Sequence, residues 1–216
     1  MVIAVDGPAG SGKSTIAKLL ARNLKDKEGR GFTYINSGNL YRAITLACLR
    51  DGITPNDSDR ALERAKTAGI GYKGDKISLD GEDVTDLLHT DEIDKWSAPL
   101  SAIVPIRHVV NDIIRGLSKG MNTVAEGRDM TTVVFPDAEC RFYLDASVED
   151  RARRRFDQGV SKLSLEEIKE AIAQRDAIDK NKKEGSLAIA EGVEYIDTSG
   201  LTINQVYAIL EEKIRK

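Results

Sequence analysis

A short β-branched run, "VIAV" at 2–5, passes directly into "DGPAGSGKST" at 6–15, and this junction limits the start of the chain to strand, loop and helix. The run suits a buried strand. After the loop, Ile16, Leu19, Leu20 and Leu24 recur at helical spacing. Gly7, Gly12, Lys13 and Ser14 fit G-x-x-x-x-G-K-[ST] at every position. Small residues let the backbone wrap phosphates, with Lys13 as a cation for the terminal groups and the Ser14 hydroxyl as a ligand for Mg²⁺. The helix start adds its positive end. Gly7, Pro8, Ala9, Gly10, Ser11, Gly12, Lys13, Ser14 and Thr15 are therefore read as a nucleoside triphosphate site.

Four further apolar runs follow: "FTYI" at 32–35, "TVAE" at 123–126, "CRFYLDA" at 140–146 and "VEYIDT" at 193–198. Helical patterns separate most of them, which predicts an α/β fold with a mainly parallel five-stranded sheet covered by helices. Two regions break the alternation. "GIGYKGDKISLDGEDVT" at 69–85 has glycine turns between short alternating runs and reads as a small inserted antiparallel β element. Residues 150–185 are dense in charge, which suits either a solvated helical face or a lid whose arginines close over phosphates. Near the end, Thr202 and Gln205 form a capping-box pattern ahead of an apolar stripe of Ile203, Val206, Ile209, Leu210 and Ile214. That stripe is read as core packing.

The bulk numbers narrow the function. A chain of 216 residues with a formal net charge of −3 lacks the basic excess of a general nucleic-acid or membrane-surface binder. Cys48 and Cys140 lie far apart and form no CxxC pair, so they are expected as reduced, buried thiols of a cytoplasmic protein. The run at 2–5 is too short for a signal or membrane segment. His89 and His108 sit in no ligand pattern, Trp96 reads as a packing residue, and "DGEDVTD" at 80–86 lacks the spacing of a calcium loop.

Three classes of phosphate user compete. A guanine-nucleotide switch needs N-K-x-D, and "NKKE" at 181–184 ends in the wrong acid behind a charged helix. A motor or assembly ATPase needs an acid after an apolar strand, and Glu126 supplies one. A small-molecule kinase needs a second anion site. Here "NSGNLYR" at 36–42 puts Ser37 and Arg42, and "EGRDM" at 126–130 puts Arg128 and Asp129, after core strands. Ligands bind at that edge of open α/β sheets, and an arginine there can grip a phosphate by two charge-assisted bonds. Arg107 and the pair Arg175/Asp179, four apart on one helical face, carry less weight on chemistry alone.

Taken in order, the motifs resemble bacterial cytidylate kinases: "DGPAGSGKST", "SGNLYR" for SGAxYR, "GRDMTTVVFPDA" for GRDMGTVVFPDA, "DASVEDRARRR", "RDAIDKNK" for RDxxDxxR, and "YIDTSGLTINQV". The resemblance implies ATP-dependent phosphorylation of CMP, and usually of dCMP, to the diphosphate. With the Mg²⁺ expected at Ser14 and the balanced charge above, a monomer that engages neither nucleic acid nor membrane is expected. The resemblance also implies one P-loop kinase domain over 1–216, with a nucleotide-monophosphate insertion near 66–98 and a lid near 150–186. Carried over by position, Ser37, Arg107 and Asp129 hold the cytosine, with Ser97 beside them although counting back from Arg107 lands on Ala98. Arg42 and Arg128 hold the acceptor phosphate, while Arg175, Asp179 and Lys182 lie by the substrate, the first two at the sugar. Lys13, Arg128 and one lid arginine serve the transfer; of Arg151, Arg154 and Arg155, Arg154 ranks first. The chain departs from the pattern at Asn36 and Glu126, each in place of Asp, at Thr131 in place of Gly, and at Lys182 in place of Arg.

Overall fold

A computed structural model describes residues 1–73, 76–159 and 163–215. Positions 74–75 of the expected β insertion and 160–162 of the expected lid lie outside the described residues. The chain divides into two compact units, Met1–Tyr34 with Met121–Lys216, and Ile35–Gly120.

The first unit is built on a five-stranded sheet of order β2-β6-β1-β7-β8, with β1 Val2–Asp6, β6 Thr123–Gly127, β7 Cys140–Asp145 and β8 Glu194–Asp197. Strand β2, Thr33–Asn36, begins in this unit. Strand β1 is central: it runs parallel to β6, with Val5 opposite Glu126 and Asp6 opposite Gly127, and parallel to β7 on its other side. A strand paired on both edges and covered on both faces must be apolar throughout. Accordingly, Ile3, Ala4 and Val5 have no exposed surface. Helices α1 (Lys13–Asn23) and α8 (Ile203–Arg215) close one core with the sheet through Ile16, Leu20, Val206 and Leu210. Truncating Phe142, at 1% exposure in the same core, to alanine would cost about 3–5 kcal/mol.

The capping box at α8 forms: Gln205 N donates to Thr202 Oγ1 at 3.3 Å and Thr202 N to Gln205 Oε1 at 2.9 Å. Of the expected stripe, Val206 and Leu210 are buried and Ile209 and Ile214 partly so, whereas Ile203 is 52% exposed. Ile203 occupies the first turn, where the helix has not yet settled on the sheet.

The charged stretch folds as α6 (Val148–Asp157) and α7 (Leu165–Lys180), joined by a small apolar cluster of Ala152, Ile168 and Ile172. Ser164 and Glu167 form a full capping box at the start of α7. In the second unit, α2 (Ser37–Arg50), α3 (Ser58–Thr67), α4 (Asp91–Leu100) and α5 (Val104–Ser118) accompany a three-stranded antiparallel sheet. Its strands are β3 (Ile70–Lys73), β4 (Lys76–Leu79) and β5 (Glu82–Asp83). Asp80 and Gly81 turn β4 into β5 with φ of 51° and 88°, the double left-handed geometry that an Asp-Gly hairpin supplies. No described helix is long and apolar enough to cross a membrane. Both cysteines are free thiols, but only Cys48 is buried; Cys140, first residue of β7, is partly exposed. His89 and His108 are exposed, and Trp96 is partly buried with the Lys95 ammonium 5.0 Å from its ring centre.

Candidate active site

The loop after β1 is held so tightly that side chains are excluded from it. A Cβ on Gly7 would lie 2.1 Å from the Leu144 carbonyl oxygen, and one on Gly10 would lie 3.0 Å from Arg151 Cβ. Gly12 caps α1 with φ 90° and no side-chain bond, so the first-turn amides of α1 keep their attraction for an anion. Ser14 and Thr15 are exposed in that turn. The Ser11 hydroxyl is buried without a hydrogen-bond partner among the described residues.

Lys13 is 6% exposed, and its ammonium donates to the Pro8 carbonyl at 3.0 Å, folded back on its own loop. Burial, reinforced by the Arg128 guanidinium, pulls Lys13 down to about 7 against the opposing pull of Glu126, Asp179 and Asp6. A polyphosphate bound beside it would reverse that balance by supplying negative charge.

Two arginines of α6 brace the back of the loop. Arg151, buried, donates from Nη1 to Ala9 O at 3.0 Å and from Nε to Ala146 O at 2.9 Å, and pairs with Asp176 of α7 at 2.7 Å. Arg154 donates from Nη1 to Ser11 O at 3.3 Å and to Thr198 Oγ1 at 3.1 Å, and from Nη2 to Thr198 O at 2.5 Å. Arg155 is exposed.

Beside Lys13 a second group gathers around Asp179, whose side chain is fully buried. Its carboxylate meets Arg128 Nε at 2.9 Å, Arg175 Nε at 3.2 Å and Lys182 Nζ at 2.8 Å. Burial works against its ionisation, but the charges of Arg128, Arg175 and Lys182 hold it well below the usual carboxylate range. Three cations share one carboxylate, which leaves a surplus of positive charge. Arg128 and Arg175 remain part-exposed at 21% and 33%, able to take a further anion. Asp129, 3% exposed, caps a π-helical turn, Met130–Val134, and its carbonyl accepts from Val133 N at 2.9 Å.

Glu126, at the end of β6, is 2% exposed and accepts the Tyr34 phenol at 2.6 Å. The structure thus brings Lys13, Arg128, Asp129, Arg154, Arg175, Asp179 and Lys182 into one unit. Ser37, Arg42, Ser97 and Arg107 belong to the other. There, Arg42 pairs with Asp94, so an acceptor phosphate on Arg42 would compete with that carboxylate. Arg107 is buried, donating to Ser101 O at 2.9 Å with its guanidinium 5.7 Å from the Tyr41 ring centre. Ser37 opens α2 and Ser97 lies on α4, both buried. Asn36 caps α2 by accepting from Asn39 N at 3.2 Å, a task the expected Asp would also perform.

Sequence reasoning gave no role to Asp6, to Asp176 or to the Tyr34 phenol. Asp6 carries the clearest signal, because an acid that closes an otherwise apolar central strand needs partners.

The description "Cytidylate kinase" belongs to the family model that matches residues 3–216. A cytidylate kinase of Caldanaerobacter subterraneus subsp. tengcongensis is 43% identical, covering 99% of this chain and 94% of that protein. One from Carboxydothermus hydrogenoformans is 39% identical, covering 99% and 97%. Among solved structures, an uncharacterized protein from Eubacterium ventriosum superposes with a TM-score of 0.57 at 11% identity, covering 100% of this chain and 99% of that one, a likeness of fold alone. With a family match over nearly its whole length, this chain belongs to the cytidylate kinase family.

Proposed function

We propose that the protein is a cytidylate kinase: it moves the terminal phosphoryl group of ATP onto the phosphate of CMP, and of dCMP, giving the diphosphate and ADP. The observation that carries this reading is the pairing, within one unit, of a glycine-wrapped loop holding Lys13 with a cation-rich group of Arg128, Arg175 and Lys182 around Asp179. One suits the triphosphate of a donor, the other the phosphate and sugar of an acceptor.

Phosphoryl transfer asks mainly for positioning and charge neutralisation. The acceptor phosphate is largely ionised near neutral pH, so no strong base is needed, and neither histidine has a part. Lys13 and Arg128 spread the charge of the moving group. Arg154 is assigned to the transfer as well, and its bonds to Ser11 O and Thr198 support that assignment. Mg²⁺ fits the donor set, since its usual protein contribution is one or two oxygen ligands beside the nucleotide phosphates. The exposed Ser14 hydroxyl would hold it, and it would neutralise the donor phosphates. Ser37, Ser97, Arg107 and Asp129 are assigned to the cytosine. An acid facing the exocyclic amine and a guanidinium facing the ring acceptors favour cytosine over uracil, whose matching groups are reversed.

Protein with Mg²⁺-ATP and, in turn, CMP, dCMP, UMP, AMP and a non-nucleotide phosphate, followed by coupled ADP release, tests the assignment. CMP-dependent turnover well above the others, with dCMP close behind, is expected. Turnover that ignores the acceptor would overturn it.

A further inference from the structure

Resting on the kinase reading above, we propose that Asp6 is a positioning residue that latches the Gly127–Thr131 turn to the phosphate loop, and that the Thr131 hydroxyl keeps this latch closed toward acid pH. Asp6 is the last residue of β1, has no exposed surface, and is followed directly by Gly7. Its Oδ1 accepts from Met130 N at 2.8 Å; its Oδ2 accepts from Thr131 N at 2.7 Å and from Thr131 Oγ1 at 2.7 Å. One side chain therefore ties the start of the donor loop to the turn that carries Arg128 and Asp129. Both oxygens are engaged by three donors within the protein and the side chain has no exposed surface, so Asp6 acts through others.

The ionised carboxylate is the stronger acceptor for all three bonds. A proton on Asp6 removes that charge and one lone pair, so the neutral acid holds the three donors less tightly. Burial pushes Asp6 up to about 6, while the bonds from Thr131 and Met130 pull the other way. The charges around it are Lys13 from α1, which favours the ion, and Asp129 on the turn, which opposes it; the Tyr143 phenol lies alongside on β7. Two of the three donors are main-chain amides that any residue provides. The third is the Thr131 hydroxyl, 1% exposed. It is the one donor of the three that a side-chain substitution can remove.

Thr131→Val keeps the shape and removes the donor, Thr131→Ala removes donor and bulk, and Thr131→Ser keeps the hydroxyl. Turnover at saturating ATP and CMP is read from about pH 5 to about pH 8. Ionisation of the substrate phosphate is common to all the proteins, so a difference between profiles reports the protein. Both Val and Ala should move the acid limb upward by about one pH unit while staying within about threefold of wild type at the alkaline end, and Ser should follow wild type. Thermal melts of ligand-free protein supply an arm that needs no turnover: the deficit of Val relative to wild type should be larger at about pH 8, where Asp6 is ionised, than at about pH 5. Superimposed profiles for Val and wild type, or a melting deficit equal at both pH values, would overturn the latch. Wild-type protein without CMP-dependent turnover would instead overturn the kinase reading, and the melts would still decide the latch.

Discussion

The phosphate loop and the cation group around Asp179 both gather positive charge, yet they are made of opposite materials. The loop works through backbone: its glycines let main chain approach main chain, and Lys13 is its single charged side chain. The Asp179 group works through side chains, with Arg128 from the end of β6, Arg175 and Asp179 from α7, and Lys182 just beyond it. A backbone site is rigid and intolerant of added atoms. A side-chain site tolerates atoms but depends on charge balance, because a buried ion without partners is costly. The two should therefore fail in different ways.

The largest effect is expected where bulk meets the loop. Gly7→Ala puts a methyl 2.1 Å from the Leu144 carbonyl, a distance that only backbone movement can relieve. ATP affinity, read by titration, should fall by about 100-fold or more, since a loop moved by an ångström no longer fits the phosphates. Affinity within tenfold of wild type would show that close backbone approach is not the constraint.

At the other site the same logic runs through charge. Asp179→Asn is nearly isosteric but leaves Arg128, Arg175 and Lys182 to repel one another in a buried setting. The efficiency toward CMP should drop by about 100-fold and stability by about 3 kcal/mol or more, with ATP affinity changed by only a few-fold. Equal losses for both substrates would mean that the two groups are one site rather than two.

These contrasts also explain what could be read in advance. The strands at 2–6, 33–36, 123–127, 140–145 and 194–197 fall within a residue or two of the apolar runs, because burial on both faces leaves a continuous local signature. The loop was legible for the same reason: its function lies within nine consecutive residues. The Asp179 group was visible as candidates but not as an assembly, since Arg128 and Asp179 are 51 positions apart and nothing local says that they meet. The arginines of α6 were harder still. Arg151, in the expected lid region, is buried against Ala9 and Asp176, a placement the sequence does not show, because a charge-rich stretch does not reveal which of its charges a tertiary partner removes from water.

A smaller effect separates the sites by pH. Lys13 sits at about 7 in the free protein because of burial and Arg128, so it is mostly neutral at pH 8, and an incoming triphosphate restores its charge. ATP binding at about pH 8 should therefore take up close to one proton, read by calorimetry in buffers of different ionisation enthalpy, and affinity should weaken by up to about tenfold per pH unit above neutrality. The sign for folding is the reverse of a salt-bridged lysine. Between 7 and 10.5 the unfolded chain binds more protons than the folded one, so the stability of ligand-free protein rises with pH across that window. Binding enthalpies that do not depend on the buffer would mean that Lys13 is already charged before ATP arrives.

The finest test asks whether the side-chain site needs a shaped partner or only a charge. Lys182 stands where the resemblance to the family leads one to expect arginine, and its ammonium lies 2.8 Å from Asp179 Oδ1 with 5% of the side chain exposed. An ammonium is a compact point charge, whereas a guanidinium offers a planar fork. Arg128 and Arg175 each reach the other carboxylate oxygen, Oδ2, by Nε, so directional contacts are already supplied there and a point charge suffices at Oδ1. Lys182→Arg should thus leave CMP turnover within about threefold of wild type, while Lys182→Met, which removes the charge but keeps the stem, should raise the KM for CMP by about five- to tenfold. If Arg restored nothing that Met lost, the pocket at Oδ1 would be selecting for size, and the side-chain site would share the intolerance of the loop.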